Sequence, residues 1–173
     1  MKQTLLPFGT NLGCQVVTKK NYWRIVGLRD VRPEFTAAEI PRLEQGLRTR
    51  IKAALAPVEF ILAVMEIEAW FLAESTHFAR IDPAITCAAI QATLGFHPEQ
   101  DDMSQRPNPT EDLKACYQIG GQTYIKPAIA TVAALDMDQF YIETAGRCRF
   151  APKLTATIDA FLNQPPPAAQ PAC

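Results

Sequence analysis

The sequence predicts an α/β fold: a small parallel sheet built from βαβ units, followed by a mainly helical C-terminal half. Three observations carry this expectation. Tyr22 to Leu28 and Val58 to Met65 are short apolar runs with aromatic and β-branched residues, the composition of strands. Between them Ile40, Leu43, Leu47, Ile51 and Leu55 recur at the three- and four-residue spacing of one helix face. Beyond Ser75 the pattern is helical and punctuated by proline and glycine.

Each element follows from its residues. Met1 to Leu12, with Pro7, Gly9 and Asn11, offers no clear element; Gly13 to Thr18 reads as a short strand and Lys19 to Asn21 as a turn. The strand from Tyr22 runs out into Arg29, Asp30, Val31 and Arg32, and Pro33 cannot continue a ladder. Thr36 with Glu39 three residues on resembles a capping box and opens a helix through about Ala56, although Pro41 is late for its first turn. Arg42, Arg48, Arg50 and Lys52 lie off the apolar stripe and read as a solvated face rather than a phosphate-binding strip. Pro57 hands the chain to the second strand. Strand, helix, strand in this order is a βαβ unit with parallel strands.

The later elements are helices. Asp82-Pro83 reads as the start of a helix that Gly95 ends after Leu94, and His97 to Pro107 as a solvent-facing polar loop. Asn108-Pro109-Thr110-Glu111 caps a helix to Gln118, which Gly120-Gly121 breaks. Tyr124-Ile125-Lys126-Pro127 precedes an apolar run from Ala128 to Leu135, and Asp138 to Thr144 and Pro152 to Leu162 read as two more helices. Residues 1–163 are expected to form one domain, and the Pro/Ala-rich segment 164–173 a disordered tail.

The stretch that carries chemistry is V-E-F-I-L-A-V-M-E-I-E-A-W-F-L-A-E, from Val58 to Glu74. A strand ends there, Glu66 and Glu68 follow, and Ile67, Trp70 and Phe71 take up helical spacing. Parallel strands share their carboxyl ends, so Asp30 and the Glu66/Glu68 pair fall on one edge of the sheet, where α/β folds meet ligands. Clustered carboxylates raise one another's pKa unless a cation settles among them, and an all-oxygen set selects Mg²⁺ or Mn²⁺ over zinc. The alternative is that Glu66 or Glu68 caps the Trp70 helix, where negative charge is favoured. As a hydrated strand-end group, Glu68 should add little to the core.

Composition narrows the function classes. With 173 residues, 48% apolar and 20% charged, the chain has the balance of a globular protein. A net charge of −1 withholds the broad basic footprint of a protein that grips nucleic acid by phosphates alone. No apolar run reaches the length of a membrane span and no signal peptide is evident, so no membrane partner is expected and a cytoplasmic location is. Cys14, Cys87, Cys116, Cys148 and Cys173 are scattered and form no C-x-x-C pair, so neither a zinc site nor a disulfide framework is expected.

The motifs carry a resemblance. The run E-I-E-A-W-F-L-A-E, with G-L-R-D-V before it and Y-I-K-P and C-R-F-A-P-K-L after it, resembles the bacterial group called domain of unknown function 4276, over roughly Tyr22 to Leu162. That group is similar to Toprim domains, which implies a Toprim-like, Rossmann-like sheet and a Mg²⁺- or Mn²⁺-dependent nuclease or phosphotransfer effector in bacterial defence. On this resemblance Asp30 matches the first acid of an Asp-x-Asp element, Glu68 with Glu66 matches the motif after the next strand, and Lys126 steadies a phosphate or a developing charge. Nucleic acid is the implied substrate and an ATPase an implied partner. Arg32 stands where a second acid is expected, and no Glu-Gly strand is evident in Met1 to Cys14. The alternative function is therefore a non-catalytic interaction subunit that partners an ATPase or another defence protein.

Overall fold

A computed structural model of the chain describes residues 25–31, 35–50, 58–63, 66–149 and 151–163. The expected strand over Gly13 to Thr18, the turn at Lys19 to Asn21, Arg32, the continuation of the first long helix past Arg50, and the tail 164–173 lie outside the described residues.

Among the described residues two parallel strands, β1 (Ile25–Asp30) and β2 (Val58–Ala63), form the sheet, and their register pairs Ile25 with Val58 and Asp30 with Ala63. Val31 N–H prolongs the ladder by donating to the Ala63 carbonyl at 2.8 Å. Between the strands a 3₁₀ turn, Ala37–Glu39, leads into helix α1 (Ile40–Arg50). Glu39 accepts from the Thr36 amide and hydroxyl, both at 2.9 Å, which is half of the expected capping box. The α-helix proper begins at Ile40, so Pro41 sits in its first turn, where a missing N–H costs nothing.

The alternation of β2 divides the core. Leu62 points to one face and packs with Val31, Ile40 and Leu43. Ile61 and Ala63 point to the other face and join a larger core from the helical half.

That half begins with α2 (Glu68–Ala73), all six residues of which are buried, Trp70 to 3% and Phe71 to 6% exposure. It continues through α3 (His77–Ile81), α4 (Cys87–Leu94), a 3₁₀ turn Met103–Gln105, α5 (Pro109–Ile119) and α6 (Ile129–Ala134). A helical stretch follows as α7 (Met137–Gln139), a π turn Phe140–Thr144 and α8 (Ala145–Arg147), before α9 (Ala151–Leu162). Among the described residues, no helix is long and apolar enough to cross a membrane.

One expected helix start is corrected. The helix ending at Leu94 begins at Cys87, with the Thr86 hydroxyl accepting from Ala89 N–H at 3.1 Å, and not at Asp82-Pro83. Asp82 instead closes a turn by accepting from Ala84 N–H at 2.9 Å. An Asp-Pro pair suits a turn as well as a helix start, and here the end of α5 presses against it. A Cβ on Gly120 would meet the Asp82 Cβ at 2.7 Å, so only glycine permits that approach. The stop at Gly95 is as expected: its φ of 75° is the left-handed conformation of a helix end.

Candidate functional site

All four residues singled out in the sequence lie at the carboxyl end of the two-stranded sheet. Asp30 closes β1, and its Oδ1 accepts from the Ile67 amide at 3.0 Å, tying the first strand to the turn that starts α2. Burial pushes the Asp30 carboxyl up, and the charges of Glu68 and Glu66 add to this against the Ile67 hydrogen bond and Lys126. The repulsion anticipated for clustered acids is therefore present at Asp30.

Glu68 is 1% exposed, which corrects the expectation of a hydrated strand-end group. It stands in the first turn of α2, whose other residues are all core, and is drawn inward with them. Its Oε1 takes a salt bridge from Lys126 Nζ at 2.6 Å and a hydrogen bond from the Tyr124 hydroxyl at 2.7 Å. Burial opposes its ionisation, but the hydrogen bonds from Lys126 and Tyr124 outweigh burial and hold the carboxyl below its ordinary value. The same contact holds the Lys126 ammonium above the usual range despite its own loss of solvation. Among the described residues Glu68 Oε2 is buried with no hydrogen-bond partner, although the Glu68 backbone N–H also favours the charged carboxyl.

Glu66 does not cap the helix that follows it. N-cap Ile67 of α2 makes no side-chain cap bond. Glu66 Oε2 instead accepts from the Thr110 amide at 2.9 Å and hydroxyl at 2.6 Å, in the first turn of α5. Asn108, expected as the cap there, makes no side-chain cap bond. The carboxylate satisfies an otherwise orphan N–H at a helix end that favours negative charge.

An open cavity of about 550 Å³ is lined by Glu66, Asn108, Thr110, Glu111, Lys114, Tyr124 and Lys126, with Asp30 and Glu68 outside its lining. Lys114, which pairs with Glu111 at 2.7 Å, brings a second ammonium to the lining. The lining thus combines carboxylate oxygens with two cations and the start of a helix.

Tyr124, Thr110 and Lys114 escaped the sequence reading. Tyr124 had a signal, since Tyr124-x-Lys126 places both side chains on one side of an extended segment. Thr110 had none, being 44 residues from the carboxylate it holds.

The donor set fits a hard divalent cation. Glu68 offers a buried oxygen with an unused valence, and the neighbouring donors are carboxylates. The three acids surround the place without meeting at a point: the group of three whose ligand atoms lie within 4.8 Å of one another is a different one, discussed below. Mg²⁺ retains several waters and takes only one or two carboxylates directly, so the three acids need not all touch it. No protein-family model matches the chain, and neither a curated protein nor a solved structure matches it.

Proposed function

We propose that the carboxyl end of the sheet is a Mg²⁺- or Mn²⁺-dependent phosphodiester-cleaving or phosphotransfer site in a Toprim-like protein of bacterial defence. The observation that carries this reading is Glu68: a carboxylate held ionised, with one oxygen anchored by Lys126 and Tyr124 and the other buried without a partner. Such an atom costs free energy unless something fills the position. Asp30, Glu66 and Glu68 would hold the cation. When bound, it would polarise a phosphoryl oxygen and lower the pKa of a coordinated water.

The remaining residues prepare the substrate. Lys126 and Lys114 attract a phosphate into the cavity. Tyr124 is pushed far above the usual tyrosine range, by burial first and then by Glu68, so it remains a hydrogen-bond donor and orients Glu68 rather than taking a proton. Lys126 is protonated throughout the neutral range and stabilises negative charge that grows on the phosphate.

The test is calorimetric titration with Mn²⁺, followed by a plasmid-nicking assay, on wild type, Glu68→Gln and Lys126→Ala. Glu68→Gln should lose both cation binding and nicking. Lys126→Ala should keep cation binding and lose about 10²–10³-fold in nicking, the usual effect of removing one charge-stabilising donor. Equal Mn²⁺ binding by wild type and Glu68→Gln would remove the site.

A second reading has its own support. Asp30, Glu66 and Glu68 each already hold a protein donor, as expected of an interaction subunit that keeps the fold while partnering an ATPase or another defence protein. Cation binding without nicking would favour it.

A further inference from the structure

A second cluster, in the helical half, is chemically unlike the acidic one. Cys87, His97 and Glu99 each offer one ligand atom, and these atoms all lie within 4.8 Å of one another. A tetrahedral ion with bonds of about 2.0–2.3 Å keeps its ligands roughly 3.3–3.8 Å apart, so a small contraction closes this triad. We propose that Cys87, His97 and Glu99 form a transition-metal site, a mixed sulfur, nitrogen and oxygen set for Zn²⁺ or an ion of similar preference.

Four observations support it, none of which depends on the acidic site. The donors are of the types that zinc takes, and their mixture disfavours Mg²⁺ and Ca²⁺. Cys87 and His97 are half-buried and Glu99 is exposed, which leaves the ion a path in and a fourth position for water.

The ligands are also positioned from outside. Ser75 Oγ donates to Glu99 Oε1 at 2.8 Å, and Cys87 Sγ approaches the same oxygen at 3.6 Å. The Arg147 guanidinium donates to the Glu99 carbonyl at 2.5 Å, and Asp101 accepts from the His97 amide at 2.7 Å, so the loop after α4 is held on both sides of its two ligands. Finally, Cys87 is the first residue of α4, so its backbone is fixed by the helix; burial and the Glu99 charge hold its thiol above the ordinary value, and a bound cation would displace that proton. Its ring partner is accessible too: His97 Nδ1 accepts only a long 3.3 Å bond from Glu99 N–H.

A bound ion would join the start of α4, the loop that follows it, and through Ser75 the connection between α2 and α3. The role is that of a brace. Sequence reasoning missed it because a C-x₉-H-x-E spacing is no recognised zinc pattern, and the loop folding back over the first turn of α4 is what assembles it.

The test uses the full chain and Co²⁺, whose thiolate-to-metal charge-transfer band in the near ultraviolet reports a cysteine ligand. Stoichiometric Co²⁺ should produce the band, Zn²⁺ should abolish it, and the melting temperature should rise with either ion. Cys87→Ser should remove the band, His97→Ala should weaken binding at least as far as Ser75→Ala, and Ser75→Ala should weaken it by about 10–100-fold, the usual effect of losing a group that orients a ligand. Glu68→Gln should leave the band unchanged. No band at stoichiometric Co²⁺, or a band that survives Cys87→Ser, would overturn the proposal. Should Cys87→Ser lose its circular dichroism spectrum, alkylation of the wild-type chain with iodoacetamide decides by peptide mapping: protection of Cys87 by Zn²⁺ supports the site, and equal labelling with and without Zn²⁺ overturns it.

Discussion

Helix α2 carries a buried carboxylate at each end, and the protein treats the two in opposite ways. Glu74, the C-cap, is fully buried and both its oxygens are engaged. Oε1 accepts from the Thr76 amide at 3.1 Å and from the Thr76 hydroxyl, and Oε2 accepts from the Asp136 amide at 3.3 Å and from Arg80 at 3.5 Å. Negative charge at a helix C-terminus opposes the macrodipole, so this end needs its full complement of donors. His77 beside it is held below its usual value, by burial above all, and as a neutral ring its Nδ1–H donates to the Glu74 carbonyl at 2.5 Å. The short separation of His77 and Glu74 is therefore not an ion pair.

Glu68 sits at the end where the helix itself favours its charge, and it has one oxygen without a partner. A carboxylate with every donor in place braces packing. A buried atom with no partner is uncommon among the described residues, where Glu68 Oε2 shares that state with His77 Nε2 and Thr144 Oγ1, but it is the only carboxylate oxygen of the three, and such departures concentrate at functional sites. This contrast is what supports the proposal that the first end of α2 is a site and the second a joint.

The largest expected effect bears on the helix both carboxylates share. Trp70 is 3% exposed and its ring lies 6.2 Å from that of Phe140, so Trp70→Ala should cost about 3–5 kcal/mol in urea unfolding. A loss below about 1 kcal/mol would mean that α2 is not seated in the core. Next comes Glu74→Ala, expected to cost about 3 kcal/mol, the lower end for breaking a buried ionic contact because the half-exposed Arg80 recovers water. Retention of full stability would erase the contrast between the two ends.

The two acids of the candidate site sharpen the comparison through pH. Glu68 is held below the usual 4.5, so its contribution to stability is present above that value and is lost as pH falls through the folded-state value. Glu68→Gln should cost about 1–3 kcal/mol near pH 7, the range for hydrogen bonds to a charged group, and this loss should shrink toward about pH 4. Asp30 is raised above the usual 3.8, so the folded protein holds its proton longer and stability falls as pH rises through that range. Asp30→Asn should therefore be neutral or stabilising near pH 7, by less than about 1 kcal/mol because the half-buried carboxylate is screened by solvent. Unfolding curves at the two pH values measure both, and the same sign of response in the two variants would contradict the division of charge described here.

Much of this was legible in the sequence. The apolar runs, the helical stripe and the strand-helix-strand order required parallel strands with Asp30 and Glu68 at one edge, and β1 and β2 pair in that way. This follows because hydrophobic period and chain order are local properties. Lys126 joined them only through resemblance, and its contact with Glu68 comes from the packing of the segment after α5.

What the sequence did not contain is which charges are buried and what they touch. Glu68 read as a hydrated end group, yet lies 1% exposed against Tyr124, 56 residues away. The alternative that Glu66 or Glu68 caps the Trp70 helix left open which; Glu68 stands in the first turn of that helix, and Glu66 instead caps α5. Cys87 read as one scattered thiol and meets His97 and Glu99. A carboxylate or thiol carries no local signal of its distant partners; its environment is made by the side chains that tertiary packing brings within hydrogen-bond distance, and so the fold class was decided by sequence pattern and the chemistry of the sites by the tertiary structure.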